Sequence, residues 1–198
     1  PLPPLSSSVN TTIFFHPSDA VWFYAGAPQR TILASFPDVP LPPDNSFNPP
    51  RPPDGLPGCM CGSPFHCRLD FGQHDMNPDL VIGPEDYVVA SRQELYNVCH
   101  ARGITHLIHA GFAANMCVWG KECGLVETAR LGLKCYLARD LTDAFGGTDA
   151  GSEGLDRFTS RVVEHVERHV VPTMDFLAEM RKAVGTREPW VVDPVRIC

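Results

Sequence analysis

Long apolar runs are missing from this 198-residue chain. No stretch approaches the roughly 18 residues that span a bilayer, so no transmembrane segment is expected. An excess of positive charge is missing too. Sixteen Lys and Arg stand against 23 Asp and Glu, a formal net charge of −7. That balance argues against nucleic acid, or an anionic membrane surface, as the partner. No Gly-x-Gly-x-x-Gly fingerprint and no phosphate loop occur, so no nucleotide is indicated and no cofactor is expected. The chain starts at Pro1 without a charged stretch leading into an apolar one, so no signal peptide is expected. Lysine is absent before Lys121.

Proline, in contrast, is abundant. There are 20, and sixteen lie at or before Pro78, which divides the chain into a proline-rich front and a regular back. A tract such as Pro37–Pro57 cannot hold a helix or a central strand, because proline fixes φ and lacks the amide donor. Residues 26–84 are therefore expected to form a meander over a core. With 43% hydrophobic and 20% charged residues, the composition is that of a globular domain, and the length fits one. The eight cysteines are Cys59, Cys61, Cys67, Cys99, Cys117, Cys123, Cys135 and Cys198. A domain of this size needs no disulfide scaffold. Cys99 and Cys135 sit in apolar patterns and read as buried thiols, which favours a reducing intracellular compartment.

Strand-forming runs occur at Thr11–Phe15, Asp86–Ala90, Ile104–Ala110 and Leu133–Ala138. Ser18–Tyr24 reads as a helical turn. Ser91-Arg92-Gln93-Glu94 is a capping box, and the helix that it opens ends at Gly103. A helix is expected over Met116–Leu131, closed by Gly132. A loop should follow the fourth strand and hold Asp140, Asp143, Gly146 and Gly147. Leu155, Phe158, Val162, Val166 and Val170 recur every three or four residues, a 3.6-residue period stopped by Pro172. A last helix is expected over Met174–Ala183. Strands alternating with helices point to βαβ units and a mostly parallel sheet. In such sheets ligands sit at the carboxyl ends of strands. The segments to inspect are His16–Asp19, Gly111–Cys117 and Arg139–Asp143.

Gly111-Phe112-Ala113-Ala114-Asn115-Met116-Cys117-Val118 places a cysteine where a strand turns into a helix. Unpaired amides and the helix dipole at such a turn favour a thiolate. The same amides can stabilise an oxyanion on a substrate carbonyl. A buried core cysteine is the alternative reading of the same position.

The segment GFAANMCVWGKECGLVETARLGLKCYLARDLTDAF resembles the core of the isochorismatase-like cysteine hydrolase superfamily. It comes nearest a subgroup with Asn-Met-Cys-Val and a downstream Arg-Asp-Leu-Thr-Asp, here Asn115–Val118 and Arg139–Asp143. Cys59-Met60-Cys61 resembles a Cys-x-Cys loop of that subgroup. The resemblance spans about Thr11 to Thr173 and is most specific over Gly103–Phe145. It implies a single α/β domain over 1–198, with a three-layer, doubly wound, Rossmann-like sheet. It also implies hydrolysis of a small-molecule amide or related carbonyl through Cys117 as catalytic nucleophile. An oxyanion hole would be built from the Ala113 and Cys117 amides, with a non-proline cis peptide at Phe112–Ala113. His16, Asn115, Asp140 and Asp143 would line the cleft.

The chain departs from this pattern in three places. The family lysine follows the strand before the nucleophile's strand, where this chain has the Ser91 capping box and, as nearest cation, Arg92. The family aspartate ends a first strand that precedes the one resembled by Thr11–Phe15, and only PLPPLSSSVN precedes Thr11 here. Thr11–Phe15 and Ile104–Ala110 should therefore flank a slot. It would be filled by an upstream segment, another chain, or the tail Trp190–Asp193. Ala114 stands where many members carry threonine. A second reading follows: a catalytically lapsed domain retained as a structural or binding subunit of a larger assembly or homo-oligomer.

Other constellations point less clearly to chemistry. Cys59, Cys61, His66, Cys67 and His74 could bind zinc, but Cys-x-Cys is tighter than usual ligand spacing, and no metal is expected. His16 and Asp19 lack a second histidine at matching spacing. His106 and His109, three apart on a strand, point to opposite faces, cannot share a ligand and read as core histidines. His165 and His169, one turn apart, read as a solvated helix face.

Overall fold

The computed structural model describes residues 12–16, 18–53, 82–145 and 154–184. Five strands and six α-helices order these residues. They are β1 (Phe14–Phe15), α1 (Pro28–Thr31), β2 (Tyr87–Val88), α2 (Arg92–Arg102), β3 (His106–Phe112) and α3 (Cys117–Gly120), followed by α4 (Leu125–Arg130), β4 (Lys134–Asp143), α5 (Leu155–His169), β5 (Thr173–Met174) and α6 (Phe176–Val184). 3₁₀ turns cover Ser18–Tyr24 and Ile32–Ser35. The fold is α/β, and every strand pairing among the described residues is parallel. No helix among them is long and apolar enough to cross a membrane.

The strands form two sheets. β1 pairs with β2, and β3, β4 and β5 pair in that order. Both back onto one core. Tyr87 and Val89 from the first, and Leu107, Cys135 and Leu137 from the second, pack with Leu95, Val98 and Cys99 of α2, Leu125 of α4 and Val163 and Val166 of α5. Fully buried side chains such as Leu137 and Val166 each contribute about 1.5–3 kcal/mol by leaving water.

α2 has the ends that its sequence demands. The Ser91 hydroxyl accepts the Glu94 amide at 3.3 Å, and Gly103 closes the helix at φ 66°. Glu94 also accepts the Ala90 amide at 2.7 Å and takes both arms of the Arg30 guanidinium at 2.6 and 2.7 Å, which ties α1 to the start of α2. α5 is the helix that the 3.6-residue period marks, with Phe158, Val162 and Val166 buried on one stripe.

Four elements differ from the sequence reading. The helix over 116–131 is broken into α3 and α4. At the break, a Cβ on Gly124 would lie 2.8 Å from the Val118 carbonyl oxygen and 2.9 Å from that of Lys121, so the chain folds back more tightly than a continuous helix allows. β4 runs on to Asp143, so Asp140 and Asp143 lie on a strand and not in a loop. β3 runs on with it to Phe112, and after a register shift between His109 and Gly111 the pairs Gly111–Thr142 and Phe112–Asp143 continue the ladder. Met174 belongs to β5, whose two residues are too few to show any alternation; the last helix starts at Phe176.

Candidate functional site

The site is built where β3 and β4 end. From Phe112 the chain passes through Ala113–Met116 into α3, and Cys117 is the first residue of that helix. The Phe112–Ala113 peptide bond is cis. Ala113, Ala114 and Asn115 are buried, Met116 is exposed, and Cys117 is partly exposed. Ala114 packs with Ala144 against Phe158 and Val162, so α5 supports the loop from below.

Hydrogen bonds lock the loop in place. The Ala114 amide donates to the Asp143 carbonyl at 2.7 Å, and the Met116 and Val118 amides donate to the Ala113 carbonyl at 3.0 and 3.1 Å. The Asn115 Nδ2 donates to the carbonyls of Phe145 (2.9 Å) and Pro53 (3.2 Å), and its Oδ1 accepts the Phe145 amide at 2.9 Å. Three segments distant in sequence are thereby pinned by one amide side chain. The Ala113 and Cys117 amides have no acceptor among the described residues.

The structure places the other candidate residues as follows. Asp143 accepts the Ala144 amide at 2.8 Å and the Thr159 hydroxyl, joining β4 to α5. Asp140 accepts the Phe176 and Leu177 amides at 2.8 and 2.7 Å and so caps α6. Its carboxyl, although partly desolvated, is held below the usual aspartate range by those amides. His16 lies at the end of β1, where its Nδ1–H donates to the Val89 carbonyl at 3.0 Å. Of Asp19 only the backbone, within the 3₁₀ turn, is described. Arg92 pairs with Glu127 at 2.7 Å. Cys117, Asn115 and Asp143 thus share one loop cluster, while His16 belongs to the other sheet and Asp140 to a helix cap.

The remaining thiols are of another kind. Cys99, Cys123 and Cys135 are buried; burial pushes Cys99 and Cys123 up to about 12 and Cys135 upward. Neither strand histidine is a core residue: His106 is exposed, and His109 is partly buried with its Nε2 3.1 Å from the Thr128 hydroxyl, where desolvation brings its imidazole down to about 4. The rings of His165 and His169 stand 4.7 Å apart on α5, with His165 Nε2–H donating to the Pro50 carbonyl at 2.9 Å. No group of three His, Cys, Asp or Glu side chains among the described residues is arranged to hold a metal. The cluster Cys59–His74 and the tail Trp190–Asp193 lie outside the described residues. Thr159, Thr142 and Pro53 take part in the loop's support without any sequence signal, because each acts through a contact made only in the folded chain.

Comparison with protein-family models, with curated proteins and with solved structures gives no match for this chain.

Proposed function

We propose that the chain is an isochorismatase-like cysteine hydrolase domain with a doubly wound, three-layer sheet. In this reading Cys117 attacks the carbonyl carbon of a small-molecule amide or related substrate. The observation that carries it is the position of Cys117, a partly exposed thiol that opens a helix at the carboxyl end of a parallel strand, on a loop fixed from three sides. The thiol gives up its proton and a carbon–sulfur bond forms. The carbonyl oxygen takes the charge, and the amides of Ala113 and Cys117, which have no acceptor among the described residues, are the donors offered to it. The carbon–nitrogen bond breaks as the amine leaves with a proton, and water then hydrolyses the thioester.

One observation favours the second reading, a catalytically lapsed domain that serves as a subunit of a homo-oligomer or larger assembly. Among the described residues no acid or base is hydrogen-bonded to the Cys117 sulfur, Arg92 is bound to Glu127, and the Asp143 carboxylate is bound to Thr159 and Ala144. A nucleophile without a positioned base loses the general-base contribution, typically about 10²–10⁴ in rate. Ammonia release from a panel of small primary amides decides between the two. The hydrolase reading expects release by the native chain and none by Cys117→Ala or Cys117→Ser. Equal rates for native and Cys117→Ala chains of matching circular dichroism would leave the lapsed reading standing.

A further inference from the structure

α5 carries two histidines one turn apart, His165 and His169, on the flank of the stripe buried through Val162 and Val166. His165 is partly exposed and His169 exposed. Residues four apart on a helix share a face, and two imidazoles at this spacing are a recurrent pair of metal ligands. Glu167, exposed and two residues from each, faces elsewhere on the helix. The pair is therefore not the metallopeptidase arrangement, in which a glutamate directly follows the first histidine.

The separation of the rings fits one ion. A transition-metal ion bound about 2.0–2.1 Å from an imidazole nitrogen lies about 3.2 Å from the ring centre, so two rings on neighbouring positions of that ion, at about 90–109°, stand about 4.5–5.2 Å apart. The ring centres of His165 and His169 are 4.7 Å apart, with the planes tilted by 49° and not stacked. The rings need no change of separation to take the ion.

A contact across 115 positions singles out the nitrogen. His165 Nε2 lies 2.9 Å from the Pro50 carbonyl oxygen. A carbonyl only accepts, so Nε2 bears the proton, and in the neutral ring the lone pair is on Nδ1. A histidine that binds a metal almost always donates its other N–H in this way, to a carbonyl or a carboxylate, and the contact fixes both tautomer and ring orientation. His169 is the last residue of α5, where the negative end of the helix dipole favours a cation.

We propose that His165 and His169 together bind a divalent transition-metal ion of the class that imidazole prefers, such as Zn²⁺ or Ni²⁺, with Nδ1 of His165 as one ligand. Among the described residues no third His, Cys, Asp or Glu side chain joins the pair. Water takes the remaining positions, and the ion exchanges. The inference does not depend on the chemistry of Cys117.

Ni²⁺, a paramagnetic ion, tests this on the full chain by broadening the amide resonances near it. As Ni²⁺ is added, the amides of Arg161–His169 and that of Arg51, next to Pro50, should broaden together. An excess of Mg²⁺, about a hundredfold, should not restore them, because Mg²⁺ prefers oxygen ligands. His169→Gln replaces an exposed side chain, and His165→Gln keeps an amide donor for the Pro50 carbonyl. Each should raise the Ni²⁺ concentration required by at least about tenfold, at unchanged circular dichroism. His100→Gln, on α2, should leave it as it is. Zn²⁺, which is diamagnetic, should shift the His165 Nδ1 resonance while Nε2 keeps its proton. Broadening of α5 that survives either substitution, or that Mg²⁺ reverses, would overturn the proposal. So would Zn²⁺ bound at His165 Nε2, or an α5 that Ni²⁺ leaves sharp.

Discussion

The side chain of Asn115 and the backbone of Phe145 exchange two hydrogen bonds, Nδ2 to carbonyl and amide to Oδ1, each 2.9 Å long. With the third bond to Pro53, this buried amide fixes the loop before Cys117 to the end of β4. Asn115→Ala leaves a buried amide and two carbonyls without it and should cost about 2–4 kcal/mol. Asn115→Asp should cost at least as much, because it turns a carboxylate toward two carbonyl oxygens. The urea midpoint, at unchanged slope, measures both. A loss under about 0.5 kcal/mol would mean that the loop is held by other contacts.

His109 should make stability depend on pH above the range where carboxylates titrate. The Thr128 hydroxyl donates to the Gly124 carbonyl at 2.8 Å, so the His109 Nε2–H donates to that hydroxyl at 3.1 Å, and desolvation favours the neutral ring. Its folded value, about 4, lies below the ordinary 6.5. The unfolded chain therefore binds this proton first as pH falls. The stabilisation is complete above about pH 6.5 and is lost progressively toward pH 4, with a slope of at most about 1.4 kcal/mol per pH unit. His109→Gln keeps a donor for Thr128 and should flatten the urea midpoint between pH 6.5 and 4.5. An unchanged slope in that variant would assign the dependence to another group.

Among the described cysteines, Cys117 should be alkylated first. Cys99 and Cys123 are buried and carry almost no thiolate at neutral pH, since burial pushes both up to about 12; Cys135 is shifted the same way. Cys117 is partly exposed. Brief iodoacetamide treatment at pH 7.5 followed by peptide mass mapping should label Cys117 well before the other three. Equal, slow labelling of all four would show that the Cys117 sulfur is inaccessible, and would count against the hydrolase reading.

Local features were the most legible in the sequence. Ser91, Glu94 and Gly103 bound α2 because a cap is decided by side chains within four residues of the helix end. The spacing of Phe158, Val162 and Val166 marked α5 because a helix long enough to repeat its stripe four times carries its own evidence. The position of Cys117, between an apolar run and a helix-forming stretch, was legible for the same reason. The break at Gly124 was not, because it depends on how closely one turn of chain approaches the carbonyls of the turn before it.

What the sequence by itself determined is the α/β alternation, the parallel sense of the strands and the place of Cys117 at a strand end. Each follows from periodicity and capping, which act over a few residues. Only the tertiary structure decided that Asn115 is a clamp, that Asp140 caps α6 and that Asp143 holds Thr159. It alone decided which strands pair with which among the described residues. Those outcomes rest on partners 16 to 62 positions away. A short polar side chain satisfies whichever backbone group the fold brings to it, and nothing in its neighbouring residues records which group that is.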